Sequence, residues 1–264
     1  GGGTRQVFGH TALCLPCTEG YLLVPALMEV EGVELVLDRV LVKRGEVSIR
    51  ASCAFSPGVH LVTGSVGAGK STLALVAAGL LPPTEGSVER RGIARSMLLF
   101  QFPELHLTEK TIREEISSFG VPADDVLSRS GLFGRGEEDP LSLSRGELKR
   151  LLLSCVLARD DDLLILDEPF SGLDCTGRLR LCREIGKKRG GIVILCTHER
   201  HFLPRVDVIW EFEDHTLACR GRVPEAIASW QGAPAGIKAL VAAGQVPQNV
   251  SFEDIGEAAC RTRD

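Results

Sequence analysis

The stretch that decides the fold reads Gly64-Ser65-Val66-Gly67-Ala68-Gly69-Lys70-Ser71-Thr72. An apolar run, Gly58–Thr63, precedes it and predicts a short buried strand. A second apolar run, residues 73–79, follows it and predicts a helix that begins near Lys70 and ends at a glycine. A glycine-rich loop between a strand and a helix is the setting of a phosphate-binding loop.

The residue types of this loop suit the binding of phosphate. Its three glycines let the backbone curl so that several N–H groups point at one place. The helix that follows adds its positive N-terminal end at the same place. Lys70 is expected to reach the β- and γ-phosphates, and the Ser71 hydroxyl is expected to bind Mg²⁺. We therefore predict that the whole loop, Gly64 to Thr72, holds a nucleoside triphosphate, and we reject a chance glycine-rich turn.

The composition is that of an ordinary globular protein. The chain has 264 residues, of which 44% are hydrophobic and 25% are charged, and these proportions support a sizeable core. A net charge of -5 gives no sign of a surface that binds nucleic acid. No apolar run reaches the roughly 18–20 residues that a helix needs to cross a bilayer. The nine cysteines are scattered, which predicts reduced thiols rather than a disulfide framework.

Residues 1–28 match no pattern found further along the chain and form an unassigned N-terminal extension. His10, Cys14 and Cys17 are possible zinc ligands, but the second ligand pair of a zinc site is missing. We therefore favour an extension without a metal or redox site. Glu19 and two prolines interrupt its apolar segment, so we do not expect a signal peptide there.

The remaining pattern predicts strands alternating with helices. Apolar positions alternate through residues 28–55 and predict two or three antiparallel strands, broken at residues 43–46. Further strands are predicted at residues 96–100, 163–166 and 192–196, and helices within residues 111–133 and 144–158. Ser144, with Glu147 three residues on, forms a capping box. We expect an α/β fold with a mainly parallel core sheet, whose functional groups gather where the strands end.

Polar groups follow three of these strands. Asp167 and Glu168 come directly after a buried strand, where the aspartate can hold Mg²⁺ and the glutamate can orient an attacking water. Gln101 ends an upstream strand and can sense both the metal and the water. His198 follows the strand at 192–196. The alternatives, a strand that ends in solvated acids and a structural histidine, are disfavoured because a phosphate-binding loop lies upstream.

A second anion site is predicted at the start of the helix that follows Leu143. Ser144, Gly146 and Glu147 lie in its first turn, and the free N–H groups there favour an anion. The site lies too far along the chain to be assumed part of the first phosphate cage. We therefore expect two copies of the protein to face each other, each capping the nucleotide held by the other.

Together these motifs resemble the nucleotide-binding subunit of an ABC transporter. The resemblance covers about residues 30–230. It implies a P-loop NTPase with an antiparallel N-terminal β subdomain and a small helical signature subdomain at about residues 102–158. On this basis we expect the ABC ATPase domain at residues 29–230 and a small C-terminal helical addition at residues 231–264. The motifs that carry the resemblance are residues 64–72, Gln101, residues 143–147, residues 163–168, residues 171–174 and His198.

One branch of the family fits best, the energy-coupling-factor ATPases of vitamin and metal-ion uptake. Residues 100–104, 111–116 and 174–178 and the tail from Pro234 to Ala258 are similar to that branch. The resemblance implies a head-to-tail dimer, with itself or with a related ATPase, that encloses two ATP molecules. It also implies a transmembrane coupling protein and a substrate-binding membrane subunit as partners, and a peripheral position on the cytoplasmic face of the membrane.

The resemblance implies roles for single residues around the nucleotide of the same chain. Ser71, Gln101 and Asp167 would serve Mg²⁺. Glu168 would polarise the attacking water, and His198 would contact the γ-phosphate.

It also implies roles across the dimer. Ser144, Gly146 and Glu147 would face the nucleotide of the opposite subunit, while Asp174 would communicate between the two sites.

Three features depart from the family pattern. Residues 35–47 contain no aromatic side chain to stack on adenine, which leaves Val42 or Lys43 to pack there. Arg145 replaces a usual glycine of the signature motif. The region between Gln101 and Leu143 is short, which predicts a small helical subdomain and a reduced docking surface.

Several functions are compatible with the sequence. The leading one is the ATP-hydrolysing motor of a coupling-factor importer, with another class of ABC transporter as the alternative. An ABC ATPase that acts on chromosomes or ribosomes would carry a long coiled-coil insertion or tandem cassettes, which the sequence lacks. A partner subunit that binds ATP without hydrolysing it is disfavoured by Glu168 and His198, although Arg145 and the absent aromatic residue keep it open.

Overall fold

The structure, a computed structural model, describes residues 32–45 and 48–261, and the backbone alone of residues 13–17, 20–24 and 47. The chain divides into two units, residues 1–32 and residues 33–264. In the first unit, β1 (Leu13–Cys17) pairs antiparallel with β2 (Gly20–Val24). His10 and the side chains of Cys14 and Cys17 lie outside the described residues, so the expectation of no metal site there stays a prediction.

The second unit is built on one nine-stranded sheet, in which the strands lie side by side in the order β6-β3-β4-β11-β10-β5-β9-β8-β7. Strands β10, β5, β9, β8 and β7 are parallel, whereas β3 is antiparallel to both β4 and β6. The prediction of an α/β fold with a mainly parallel core is confirmed. The strands are β3 (Glu34–Arg44), β4 (Val47–Phe55), β5 (Gly58–Thr63), β6 (Glu85–Arg91), β7 (Ser96–Leu99), β8 (Leu163–Asp167), β9 (Ile192–Cys196), β10 (Val208–Glu213) and β11 (Thr216–Arg222).

The predicted antiparallel N-terminal strands are present as β3 and β4, but they continue into the parallel core through β11 and β10. The apolar pattern between Leu35 and Val42 belongs to one strand. A register shift between Leu37 and Val40, where Arg39 adopts a φ of 47°, changes the alternation without ending the strand.

Eight helices are present in the described part of the chain. Helix α1 follows the phosphate-binding loop, and three helices, α2 to α4, occupy the region that was predicted to be helical after Gln101. The division into domains at residues 29, 102, 158 and 231 stays a prediction. The helices are α1 (Lys70–Ala77), α2 (Ile112–Ser118), α3 (Ala123–Ser130), α4 (Arg145–Ala158), α5 (Cys175–Ile185), α6 (Ala226–Ser229), α7 (Ala235–Ala242) and α8 (Phe252–Cys260).

Hydrophobic packing covers both faces of the parallel part of the sheet. On β8, Leu164 and Leu166 belong to the core that contains α4, whereas Leu163 and Ile165 belong to the core that contains α1. A strand buried on both faces reads as a continuous apolar run, which is why this strand was readable from the sequence. Among the described residues, we find no helix with the length and apolar character that crossing a membrane requires.

Candidate functional site

The phosphate-binding loop lies between the end of β5 and the start of α1, as predicted. Its backbone has positive φ angles at Gly64 (152°), Gly67 (81°) and Gly69 (116°). Only glycine fits at Gly69, because a Cβ atom there would collide with the side chain of Ile49. The curl of this loop therefore depends on its glycines.

Lys70 lies at the centre of the curl. Its ammonium donates hydrogen bonds to the carbonyl oxygens of Gly64 (2.9 Å) and Ser65 (3.0 Å). The side chain is buried and its nitrogen lies 3.8 Å from Oε1 of Glu168. A buried cation enclosed by a loop is the arrangement that a phosphate group needs.

Asp167 ends β8 beside this loop and is only 5% exposed. Burial raises its pKa, while a hydrogen bond with the Ser71 hydroxyl opposes that rise. Within the described residues, its buried Oδ1 has no hydrogen-bond partner. An unsatisfied carboxylate oxygen next to a hydroxyl fits Mg²⁺, which prefers oxygen ligands.

Glu168 is held by several donors at once. Its carboxylate accepts hydrogen bonds from the Thr197 hydroxyl (3.0 Å) and from the backbone N–H of His198 (3.0 Å). It is 6% exposed, and its φ of 47° lies in the left-handed region, which costs energy for a residue with a side chain. Such strain is found where the surrounding structure fixes a residue in position, often at a functional site.

His198 and Glu168 are brought together by adjacent parallel strands, β9 and β8. Nδ1 of His198 lies 2.7 Å from Oε1 of Glu168, and the histidine side chain is 56% exposed. The imidazole therefore contacts the carboxylate on one side and solvent on the other. Lys70 and His198 thus both lie close to Glu168, and Asp167 precedes Glu168 at the end of β8.

Ser144, Gly146 and Glu147 open α4 as expected. The N–H of Glu147 donates to the Ser144 hydroxyl and the N–H of Ser144 donates to Oε2 of Glu147 (2.8 Å), which completes the capping box. The Ser144 hydroxyl also donates to Oε2 of Glu147 (2.7 Å). These bonds and the ion pair with Arg135 lower the pKa of Glu147 to about 2. Among the hydrogen bonds of the described residues, none joins Ser144 to Lys70, whose partners are the carbonyl oxygens of Gly64 and Ser65.

The comparisons with known proteins agree with this geometry. The profile of the family described as ABC transporter matches residues 51–171. A thiamine import ATP-binding protein, ThiQ, of Cereibacter sphaeroides is 35% identical over 188 residues, covering 62% of this chain and 81% of ThiQ. The chain belongs to the ABC transporter ATP-binding protein family.

Two further comparisons show relatives of this ABC transporter family member. An energy-coupling factor transporter ATP-binding protein, EcfA2, of Latilactobacillus sakei is 33% identical over 184 residues. The match covers 58% of this chain and 61% of EcfA2, so the chain spans less than two thirds of that relative's length. A solved structure, described as the dimeric post-hydrolysis state of the ATP-binding cassette MJ0796 bound to ADP and Pi, shares the fold. It aligns with a TM-score of 0.57 at 20% identity, covering 69% of this chain and 96% of that one.

Gln101 and Asp174, two other residues expected to act in an ABC ATPase, are each held by a neighbour. The backbone carbonyl oxygen of Gln101 accepts a hydrogen bond of 3.4 Å from the buried ammonium of Lys149. Asp174 caps α5 by accepting from the N–H of Gly177 at 2.7 Å. Arg178, in the first turn of that helix, pairs with Glu199 at 2.6 Å and so joins α5 to the segment after His198.

The two residues expected near adenine differ in exposure. Val42 is buried at 3% exposure, whereas Lys43 is exposed and donates its backbone N–H to the Thr84 hydroxyl, so that a packing role stays a prediction for Lys43. The imidazole of His215, in the turn between β10 and β11, lies 3.4 Å from the carbonyl oxygen of Ala68. No pattern in the sequence marks His215, because neither strand of that hairpin is predicted.

Arg145, the substitution in the signature motif, contacts its own subunit. Its guanidinium lies 5.6 Å from the ring centre of Phe102, an exposed side chain that follows Gln101. This distance is that of a cation–π contact. Arg145 therefore joins the start of α4 to the segment after Gln101.

Proposed function

We propose that this chain binds and hydrolyses ATP to drive transport by a membrane-embedded partner. The observation that carries the proposal is the convergence of Glu168, His198 and Lys70. A buried carboxylate lies 2.7 Å from an imidazole and 3.8 Å from the ammonium of the phosphate-binding loop. Nucleotide hydrolysis needs a cation for phosphate and an oriented base for water at one place.

In the proposed mechanism, Lys70 exchanges its two carbonyl contacts for oxygens of the β- and γ-phosphates. Ser71, Asp167 and Gln101 would hold Mg²⁺, and the unpartnered oxygen of Asp167 supports that assignment. When bound, the metal neutralises charge that develops on the phosphate oxygens. The N–H groups of the loop add donors that are already in place before the nucleotide arrives.

Glu168 orients the attacking water and accepts its proton. Its contact with His198 occupies one carboxylate oxygen, so the imidazole must leave before that oxygen can accept a hydrogen bond from water. The exposed side of His198 allows the ring to turn toward the γ-phosphate. The Thr197 hydroxyl and the His198 N–H keep the carboxylate oriented during this exchange.

A dimer in which each copy completes the other's site agrees with the lack, among the described residues, of a hydrogen bond between Ser144 and Lys70. The first turn of α4 presents the free N–H groups of a helix N-terminus. In a head-to-tail dimer these groups would face the γ-phosphate of the opposite nucleotide. The partner copy is either the same chain or a related ATPase.

We further propose an energy-coupling-factor type importer, acting at the cytoplasmic face of the membrane with a transmembrane coupling protein and a substrate-binding subunit. The similarity to EcfA2 and the C-terminal helices α7 and α8 support this choice. The similarity to ThiQ favours the second candidate, the ATPase of another importer class. Isolation of the protein with its membrane partners distinguishes the two, because only the first predicts a substrate-binding membrane subunit.

The hydrolytic proposal is tested with Glu168→Gln, which keeps the shape of the side chain and removes the base. We expect phosphate release to fall about 10²- to 10⁴-fold, while binding of a fluorescent ATP analogue is retained. Glu225→Gln is the matched control, because Glu225 is exposed and far along the chain from the site. If the unaltered protein with its co-purified partners released phosphate no faster than Glu168→Gln, the hydrolytic function would be wrong.

A further inference from the structure

A cavity of about 250 Å³ lies between helices α3, α4 and α5 and shares no lining residue with the phosphate-binding loop. Basic side chains from three elements and the segment after α5 line it: Arg129 on α3, Arg150 on α4, Arg180 on α5, and Lys187. None of them has a role in the nucleotide site described above.

Positive charge is in excess at this cavity. Glu184 is the acidic residue among the lining side chains, and it pairs with Lys187 at 2.7 Å. The hydrogen bond from Lys187 lowers the pKa of Glu184, and the charges of Arg129 and Arg180 add to the effect. In the described part of the chain, Arg129, Arg150 and Arg180 form no ion pair with a carboxylate.

The wall of the cavity that faces the core is apolar. Leu153, Leu173 and Leu181 are buried members of the main hydrophobic core, and Leu157 packs against that core. The cavity thus joins guanidinium groups at the solvent side to a leucine surface beneath. Arginine binds carboxylate in a two-pronged hydrogen-bonded pair, and an apolar surface is stabilised by burial of hydrocarbon.

We propose that this cavity is a binding site for a small amphipathic anion, a molecule with a carboxylate head on a short apolar body. The arginines take the head, and the leucines take the body. A free inorganic anion would leave the apolar wall uncovered, above all the half-buried Leu157, and a neutral apolar molecule would leave the arginines unpaired. Because α4 begins beside Ser144 and α5 begins beside Asp174, the ligand contacts both helices that carry the residues expected to face the partner copy.

Octanoate is a suitable probe, and the leucine methyl groups report on the cavity directly. We expect saturable shifts of the methyl resonances of Leu153, Leu157 and Leu181 in leucine-labelled protein as octanoate is added. Acetate has the carboxylate without the apolar chain, and octanol has the chain without the carboxylate. Each should bind at least tenfold more weakly than octanoate. Octanoate that shifts none of these resonances, or acetate that binds equally well, overturns the proposal.

Arg129→Gln and Arg180→Gln should each weaken octanoate binding about tenfold, since each removes one charged hydrogen-bond donor from the head group. Arg183→Gln is the matched control, because Arg183 lies on the same helix as Arg180, is exposed and does not line the cavity. Unchanged affinity in the first two variants contradicts the site. Saturating ADP with Mg²⁺ should leave octanoate binding intact, and displacement by ADP would place the probe in the nucleotide site instead.

Discussion

The ammonium group of Lys149 donates to the carbonyl oxygen of Gln101 over 3.4 Å and to that of Phe100 over 3.3 Å. The lysine is 1% exposed, and burial lowers its pKa to about 8, while the negative charge of Asp167 favours the ammonium form. Lys149 lies on α4, between one and two turns after the N-cap residue Ser144. One side chain therefore links the helix of the second anion site to the backbone of Gln101 and to Asp167.

Lys149→Met should lower the kcat for ATP hydrolysis about tenfold, because the Gln101 backbone and Asp167 lose their shared cation. Lys149→Arg should retain most of the activity. We expect the free energy of unfolding to fall by about 1–3 kcal/mol in Lys149→Met, because the partly buried carbonyl oxygens of Phe100 and Gln101 lose their donor. Steady-state kinetics and urea unfolding check both points. Activity that falls only in proportion to stability would contradict the positioning role.

Gly146→Ala distinguishes an effect on the stability of the single chain from an effect on dimer formation. A Cβ at this position would meet nothing closer than the Gly172 carbonyl at 3.5 Å and Arg150 at 3.8 Å, so the single chain accommodates it. Alanine also favours a helix over glycine by about 1 kcal/mol. In a Glu168→Gln background, we nevertheless expect ATP-dependent association to weaken at least tenfold, because the methyl group would press on the partner's nucleotide.

Sedimentation velocity with and without ATP measures this association. Gly256→Ala in α8, where a Cβ would meet nothing within 4 Å, is the matched control. Equal association in the two variants would show that Gly146 does not face a nucleotide across the dimer.

The parts of the fold that were predicted have strong local signals. A few adjacent residues are enough to predict each of three features: the loop before α1, the buried strand β8 and the capping box of α4. Strand β6 was missed because it is an edge strand whose side chains are exposed except for Val88, which is partly buried, so no alternation marks it. The hairpin of β10 and β11 was also missed. Its turn has positive φ angles at Asp214 and His215, and neither residue is the glycine that usually marks such a turn in a sequence.

Within the site, residues that act through tertiary contacts escaped prediction. Lys149 appears in the sequence as one more charge on a helix, and only the packing of α4 against Phe100 and Gln101 buries it. The contact between His198 and Glu168 depends on the pairing of β8 with β9, which the sequence does not specify residue by residue. Motifs in the sequence indicate the candidate site residues, whereas the hydrogen bonds that orient these residues depend on tertiary packing.

We expect the imidazole of His215, which lies beside Ala68 of the phosphate-binding loop, to stack on the base of ATP. His215→Ala should then weaken ATP binding about 5- to 100-fold. Binding of inorganic triphosphate, which has no base, should change by less than twofold. Both affinities are measured by isothermal titration calorimetry. His215→Phe should restore ATP binding, and its failure to do so would show that stacking is not the role of this side chain.

Burial of His60 makes the free energy of unfolding depend on pH. The ring is 2% exposed; its Nε2 lies 2.7 Å from the carbonyl oxygen of Ser56, and its Nδ1 accepts from the indole N–H of Trp210 at 3.1 Å. These two partners together require a neutral ring with its proton on Nε2. Burial lowers the pKa from 6.5 to about 4, in agreement with that tautomer.

Between pH 6.5 and 4 the unfolded chain therefore binds a proton at His60 that the folded chain does not, so the free energy of unfolding rises with pH across this window and falls on acidification. The loss amounts to roughly 3 kcal/mol for this one group. His60→Gln, which can keep both hydrogen bonds without titrating, should show a correspondingly smaller decrease between pH 7 and pH 4.5 in urea unfolding followed by tryptophan fluorescence. Part of the decrease should remain, because burial and the charge of Lys149 also lower the pKa of His106 to about 4. The exposed His201 serves as the control, and a His60→Gln protein with the pH dependence of His201→Gln would contradict the assignment.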